Sequence, residues 1–220
     1  EKTCNGNFNV FMGSYAAEGN GANNSGNTGK NNTYVGHKVG RCLSTGQYNS
    51  FFGSEAGCSN TDGNYNVFLG ACAGNTNTSG SYNIAIGYDS LENNTTGSSN
   101  TAVGSYSLDA NTTGDENTAI GYYALLANTT ANENTAVGRS ALQSNTTGTR
   151  NTAVGTFAAD VQATANDVTA IGYLALSANT DSGSNNTAVG SYSLANNTTG
   201  SENTAVGKNA LQQATTAAYN

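Results

Sequence analysis

A glycine recurs every seventeen residues through most of this chain. The unbroken series consists of Gly36, Gly53, Gly70, Gly87, Gly104, Gly121, Gly138, Gly155 and Gly172. Gly190 and Gly207 continue the series after one extra residue, and Gly13 precedes it ahead of a six-residue insertion. A fixed short period indicates a stack of similar coils, in which each coil packs only against its neighbours. The sequence therefore predicts an all-β parallel β-solenoid of about twelve 17-residue coils, with two short strands in each coil.

The whole chain, 1–220, is predicted to form a single repeat solenoid. Residues 1–82 contain coils that carry the large aromatic residues and the cysteines, with an insertion at about 18–31. Residues 83–220 contain more regular coils, built from the phrases Asn-Thr-Ala-Val-Gly, Ala-Leu and Asn-Thr-Thr-Gly. Neither end shows an amphipathic helix that would cap the stack, so we expect either that each end rests on a neighbouring subunit, as in a filament, or that the tails fold back as minimal caps.

The composition excludes several classes of function. The net charge is −7 and the seven Lys or Arg residues are scattered, so no basic stripe is available for nucleic acid. No apolar run approaches the roughly 20 residues that span a bilayer, so direct membrane insertion is not expected. The one histidine, His37, has no recurrent nucleophile or acid beside it. We therefore expect no catalytic site, no cofactor and no metal site.

Columns of equivalent residues can be read by numbering each coil from its glycine as position 0. Position −4 is Asn in eleven of the twelve coils, with Val168 as the exception. Two interpretations fit this column. Identical Asn side chains one strand spacing apart can form a hydrogen-bonded ladder along the axis, and Asn also favours turns with a left-handed backbone.

Positions −2 and +4 vary together, which indicates that they face each other inside a coil. In the first four coils −2 is large and +4 is small, the residues being Phe11, Tyr34, Phe51 and Phe68 opposite Ala17, Gly40, Gly57 and Gly74. From the fifth coil on, −2 is mostly Ala and +4 mostly Leu, as dense packing requires. In the ninth coil Ala153 and Ala159 are both small, and we expect Phe157 to fill the gap.

Position −1 is apolar in every coil. After Met12 in the first coil, its members are Val35, Phe52, Leu69, Ile86, Val103, Ile120, Val137, Val154, Ile171, Val189 and Val206. Because successive strand residues point to opposite faces, these side chains should point out of the coil if −2 points in. With Val10, Val67 and Ile84 at −3, they would form an apolar stripe too large for a monomer to expose. We expect this stripe to be an interface between chains.

The four cysteines, Cys4, Cys42, Cys58 and Cys72, lie in the first third of the chain. Their count is even and the sequence has an extracellular character, so we expect disulfides and an extracellular or cell-surface location. The spacing suggests a Cys42–Cys58 bond between adjacent coils, or an inter-subunit bond through Cys4. The alternative is that the cysteines are small buried apolar residues. The absence of a C-x-x-C pair argues against zinc.

The column at +12 carries the remaining candidate surface features. Tyr48, Tyr65 and Tyr82 occupy it in successive coils and form either an adhesive strip or a packing ladder that stabilises the stack. Further along the column, Glu116 beside Glu133 is followed by Arg150, which indicates charge compensation in place of a cation site.

The Asn-Thr-Thr segments at +7 to +9 match the glycosylation sequon, although turn chemistry also explains them. Their repeated threonines suggest ice binding as a remote alternative function. Ice binders of the solenoid type present Thr-x-Thr on one face, however, whereas the threonines of each pair here are adjacent and should point in opposite directions.

The phrase Asn-Thr-Ala-Val-Gly-x-x-Ala-Leu, at 134–142 and again at 203–211, resembles the head repeats of trimeric autotransporter adhesins of the YadA type. Related repeats occur in phage and viral tail fibres. The resemblance covers nearly the whole chain. It implies a left-handed parallel β-roll in which three chains pack side by side through their −1 and −3 residues.

These observations predict a non-catalytic structural protein of an extracellular or surface fibre. In this interpretation the chain forms a rigid homotrimer that stacks end to end into a filament. The alternative is a discrete adhesin head or a tail-fibre segment that binds a host receptor, a matrix protein or a glycan.

Overall fold

The computed structural model describes residues 8–19, 28–179 and 183–220. Backbone contacts divide the chain into two units, Glu1–Thr113 and Gly114–Asn220, and each unit is described by itself. Most of the predicted insertion at about 18–31 lies outside the described residues, as does Cys4.

In the described residues, each unit contains six three-residue strands. The first unit has β1 (Val10–Met12), β2 (Thr33–Val35), β3 (Ser50–Phe52), β4 (Val67–Leu69), β5 (Ile84–Ile86) and β6 (Thr101–Val103). The second unit has β7 (Thr118–Ile120), β8 (Thr135–Val137), β9 (Thr152–Val154), β10 (Thr169–Ile171), β11 (Thr187–Val189) and β12 (Thr204–Val206).

Within each unit every strand pairs in parallel with the equivalent strand of the next coil. The register joins equivalent positions, so that Phe51 pairs with Phe68 and Ala136 pairs with Ala153. No helix is present in the described ranges. The predicted all-β parallel solenoid with a coil of about seventeen residues is therefore confirmed.

The prediction of two strands per coil is wrong, because each described coil has one. The backbone turns where the second strand was expected, since positions +2 and +4 both adopt a left-handed conformation, as at Tyr106 (φ 58°) and Leu108 (φ 52°). Coil-to-coil hydrogen bonds continue there all the same, and the Leu91 N–H donates to the Ser107 carbonyl at 2.9 Å. Two left-handed residues close the coil sharply without loss of backbone pairing.

The anchoring glycine is required by its neighbour in the next coil. Gly138 has a φ of +133°, which L side chains rarely adopt, and a Cβ added there would lie 2.6 Å from the Gly155 carbonyl oxygen. The obstacle is backbone that is itself fixed by strand pairing, so it cannot move aside. The seventeen-residue glycine period therefore follows from the closest approach between coils.

The change Gly138→Ala should unfold the second unit at a markedly lower urea concentration, with a loss of more than about 4 kcal/mol, because it combines backbone strain with a clash. Gly207→Ala is the matched control, since φ is +123° but the nearest atom to an added Cβ is 4.0 Å away. The control should lose only the strain, about 1–3 kcal/mol. Equal losses in the two variants, measured by circular dichroism, would contradict this account.

The interior of the first unit confirms the predicted match of large and small residues. Tyr34, Phe51 and Phe68 are fully buried, and their rings stack with centroids 4.6 Å apart. A Cβ added at Gly74 would lie 2.5 Å from Cε2 of Phe68, so no side chain fits at +4 opposite this buried ring. Where −2 is alanine, leucines such as Leu108 fill the same space and are fully buried.

The expectation for the ninth coil is wrong. Phe157 is half-buried and its ring lies under the Arg139 guanidinium, whose Cζ is 5.3 Å from the ring centroid. Ala153 and Ala159 are fully buried, and so is Gln162, which stands at +7 where most coils have Asn. The extra methylene of this glutamine adds volume to the coil that lacks both large residues.

The −4 asparagines link coils, but through the backbone. Oδ1 of Asn66 accepts a hydrogen bond from the Asn83 backbone N–H at 2.9 Å, and its Nδ2 donates to the Gly80 carbonyl at 2.8 Å. The column is buried except for the half-buried Asn9, and none of its described members has a left-handed φ. The predicted ladder therefore does run along the axis, but each side-chain amide bonds to backbone groups and not to the next Asn side chain. The turn interpretation is wrong.

A second asparagine column, at +7, forms the side-chain ladder. Nδ2 of Asn94 donates to Oδ1 of Asn77 at 2.7 Å, and Nδ2 of Asn111 donates to Oδ1 of Asn94 at 2.9 Å. These amides are fully buried. The sequence alone suggested a surface turn for this Asn. Its recurrence every seventeen residues was the signal that could have indicated a ladder.

Asn94→Ala should destabilise the first unit by about 3 kcal/mol or more. It removes the bonds to Asn77 and Asn111 and a 2.9 Å bond to the Gly97 carbonyl, which leaves buried polar atoms unpaired. Thr96→Ala, an exposed change in the same turn, is the control and should stay within about 0.5 kcal/mol. Similar urea midpoints for both variants would show that the buried ladder contributes little.

Candidate interaction surfaces

The apolar stripe consists of the −1 side chains, and it faces out of the coils in both units. Phe51 is fully buried whereas its neighbour Phe52 is 40% exposed, as strand alternation requires. None of the −1 side chains is buried. The stripe comprises Met12, Val35, Phe52, Leu69, Ile86 and Val103 in the first unit, and Ile120, Val137, Val154, Ile171, Val189 and Val206 in the second.

Apolar groups at −3 widen this surface in the first unit, and a further column exposes tyrosines. Val10, Val67 and Ile84 at −3 are exposed beside the stripe in the first unit. Tyrosines at +1, which sequence analysis did not single out, are also exposed, as at Tyr88 in the first unit and Tyr122 in the second. At about 4.8 Å per coil, six coils extend the stripe about 24 Å in each unit. A continuous exposed apolar surface of this kind marks an interaction site.

The tyrosine strip at +12 is a stack of parallel rings. The centroids of Tyr48 and Tyr65 are 4.9 Å apart and those of Tyr65 and Tyr82 are 5.0 Å apart, with interplanar angles of 2° and 7°. All three side chains are exposed. Because ring faces cover one another, the strip presents mainly ring edges and hydroxyls to solvent. This geometry supports packing between coils and also offers a row of phenol groups to a ligand.

In the second unit the +12 column continues with charged residues. The charge compensation predicted there involves Arg150, but its partner is Asp167 in the following coil. Arg150 forms a bidentate ion pair with Asp167, with Nε–Oδ1 at 2.7 Å and Nη2–Oδ2 at 2.9 Å. The guanidinium lowers the pKa of the Asp167 carboxyl. Glu116 and Glu133 are exposed. Since both members of the ion pair are exposed, it contributes little to stability.

The paired threonines differ in their surroundings. The hydroxyl of Thr78 donates to the Thr95 carbonyl at 2.9 Å, and that of Thr95 donates to the Thr112 carbonyl at 2.9 Å. The following residues, such as Thr96 and Thr113, are exposed. The first hydroxyl of each pair is thus engaged in coil-to-coil bonding, which leaves a single exposed rank and weakens the ice-binding alternative.

The described cysteines are free thiols, so the predicted Cys42–Cys58 disulfide is not present in this structure. The two residues are neighbours, since the Cys42 N–H donates to the Cys58 carbonyl at 2.9 Å, but they occupy different columns. Burial raises the pKa of the Cys58 thiol, which is 8% exposed and fits the interpretation as a small buried residue. The inter-subunit thiol predicted at Cys4 lies outside the described residues.

His37, the one histidine of the sequence, lies on the surface of the first unit. Its side chain is exposed, and its ring meets Tyr15 edge-on with centroids 6.0 Å apart.

The chain matches no protein-family model, no curated protein and no solved structure in comparisons of sequence and fold. No helix in the described ranges is long and apolar enough to cross a membrane. Function therefore has to be argued from the surfaces, of which the apolar stripe is the most extensive.

Proposed function

We propose that this chain is a non-catalytic structural protein of an extracellular or surface fibre, in which three copies pack side by side through their apolar stripes. The observation that carries the proposal is the outward direction of an apolar −1 side chain in every coil. Such a column is unfavourable in water and favourable between chains, at about 25 cal/mol per Å² of apolar surface covered.

The spacing of the stripe favours a second copy of this chain as its partner. Its side chains recur once per coil along parallel strands, so a surface that packs into it needs the same repeat. This chain has that repeat. Charge also permits close approach, because no Asp, Glu, Lys or Arg occupies the −1 or −3 column.

The number of chains and the hand of the coil come from the resemblance of Asn-Thr-Ala-Val-Gly-x-x-Ala-Leu to the head repeats of YadA-type adhesins. In that arrangement three left-handed rolls pack about a common axis. Ladders of backbone and asparagine hydrogen bonds run along each coil stack and oppose extension and proteolysis. Trimers that repeat these bonds end to end would form a filament.

Replacing two adjacent stripe residues tests the interface. The double change Val137→Glu with Val154→Glu places like charges at the proposed contact of three chains, where such charges cost several kcal/mol. The wild-type chain should sediment at three times its own mass, or at multiples of that mass where trimers stack. The variant trimer should dissociate into monomers already at protein concentrations at least about 100-fold above those at which the wild-type trimer dissociates. Its circular dichroism spectrum should be unchanged.

The matched control carries the same charges on another column. Thr130 and Thr147 are exposed at +9, so changing both to Glu should leave the trimer intact. A wild-type chain that remains monomeric at high concentration, or a control that dissociates like the stripe variant, contradicts the proposal. Electron micrographs separate the two forms of the fibre, since stacked trimers give long uniform filaments and discrete heads give short rods.

The tyrosine strip supports a second candidate function, adhesion to a host surface or matrix ligand. Stacking leaves hydroxyls and ring edges as the groups that a ligand can contact. Adhesion through the strip would therefore depend on hydrogen bonds from the phenols more than on the ring faces, which lie against one another.

Changing Tyr48, Tyr65 and Tyr82 together to Phe separates adhesion from packing. The Phe variant keeps ring stacking and should keep the wild-type urea midpoint, whereas a Ser variant should lose about 1–3 kcal/mol for two ring pairs. If the strip is adhesive, the Phe variant should lose attachment to collagen-coated and glycan-coated surfaces that the wild type binds. Attachment equal to wild type would show that the strip only stabilises the stack.

A further inference from the structure

Two polar columns lie side by side in the first unit, at positions +2 and +5. Cys72 and Asp89 are at +2 in successive coils, and Glu92 is at +5 in the same coil as Asp89. The Cys72 Sγ and a carboxylate oxygen from each acid all lie within 4.8 Å of one another. One thiol and two carboxylates from two coils thus converge on a single point.

The charges along these columns are balanced at one place and unbalanced at another. Lys38 and Glu55 form an ion pair at 3.2 Å. Further along, Asp89, Glu92 and Asp109 succeed one another, and no ion pair to any of them is found in the described part of the unit. Burial and then the Asp89 charge raise the pKa of the Cys72 thiol, of Glu92 and of Asp109.

Asp89 is the centre of this imbalance. Asp89 is a buried residue, with only 8% of its surface exposed. A buried carboxylate is normally paired with a cation. A hydrogen bond with Asp89 and its charge raise the pKa of the neighbouring Tyr88 hydroxyl. A neutral hydroxyl does not compensate a buried charge that faces a thiol and another carboxyl.

We propose that Cys72, Asp89 and Glu92 bind a divalent cation of the zinc class. The donor set decides the class, because a thiolate with carboxylates suits Zn²⁺, whereas Ca²⁺ takes six to eight oxygens. Three protein donors leave a fourth position of the tetrahedron for water or an incoming ligand. Binding converts the Cys72 thiol to thiolate, with release of its proton to solvent.

The site connects two coils, since Cys72 comes from one and both carboxylates come from the next. A bound ion would therefore fasten these coils together and stabilise the first unit by mass action. The donors lie at i, i+17 and i+20, a spacing that no short zinc motif shares, which is why the sequence alone argued against zinc. The proposal rests on the coil stack and holds with or without trimer formation.

Titration with Co²⁺, a spectroscopic substitute for Zn²⁺, tests the proposal on the reduced chain of residues 1–220. The wild type should bind one Co²⁺ per chain with a thiolate-to-cobalt charge-transfer band, and Zn²⁺ should displace it. Cys72→Ser should abolish the band, and Asp89→Asn should weaken binding at least about tenfold. Cys42→Ser, which changes another half-buried thiol, is the matched control and should bind as the wild type does.

Thermal melting gives a second, independent measurement. Zn²⁺ should raise the melting temperature of the wild type and of Cys42→Ser, but not that of Cys72→Ser or Asp89→Asn. Without metal, Asp89→Asn should melt no lower than the wild type, because it removes a charge from the cluster. Absence of the band in the wild type, or its persistence in Cys72→Ser, would overturn the proposal.

Discussion

The anchoring glycines of this protein lie where the backbone of the next coil comes closer than a side chain permits. At Gly138 that point is occupied by the Gly155 carbonyl, and the same arrangement recurs at Gly36, Gly53 and Gly70 in the first unit and at Gly121, Gly155 and Gly172 in the second. This contact fixes the register of successive coils. Every other column inherits its spacing from it, so the asparagine ladders, the tyrosine stack and the apolar stripe all depend on the glycine period.

A fixed register allows this chain to bury amide side chains in place of a larger apolar core. Buried asparagines are favourable only while each finds its partners in the neighbouring coils. Two breaks show the dependence. Oδ1 of Asn145 and Oδ1 of Asn197 are buried without a hydrogen-bond partner, and the next coil has Gln162 or Ala214 where a +7 asparagine would donate. The ladder is thus a property of neighbouring coils, and a single coil has no such stability.

The sequence was sufficient for features that depend on the period and on residue size. The match of Phe68 to Gly74 and the outward direction of Phe52 follow from packing and alternation. The missing second strand did not follow, because leucine and tyrosine have no intrinsic preference for the left-handed backbone they adopt at +4 and +2.

Candidate site residues were predictable where they recur in one column and obscure where they occur once. The apolar stripe and the tyrosine strip repeat, so the period revealed both. Cys72, Asp89 and Glu92 belong to two columns and meet only because those columns lie side by side, which no local motif records. Phe157 shows the opposite error, since a plausible core residue lies instead beneath an arginine.

The central claim is that the −1 side chains face other copies of the chain. A density map of the purified protein at side-chain resolution tests it most directly. The account predicts three chains side by side, with Val137, Val154 and their equivalents packed against the same column of neighbouring chains. A single chain with those side chains in contact with water, or an assembly joined through a different face, would contradict it.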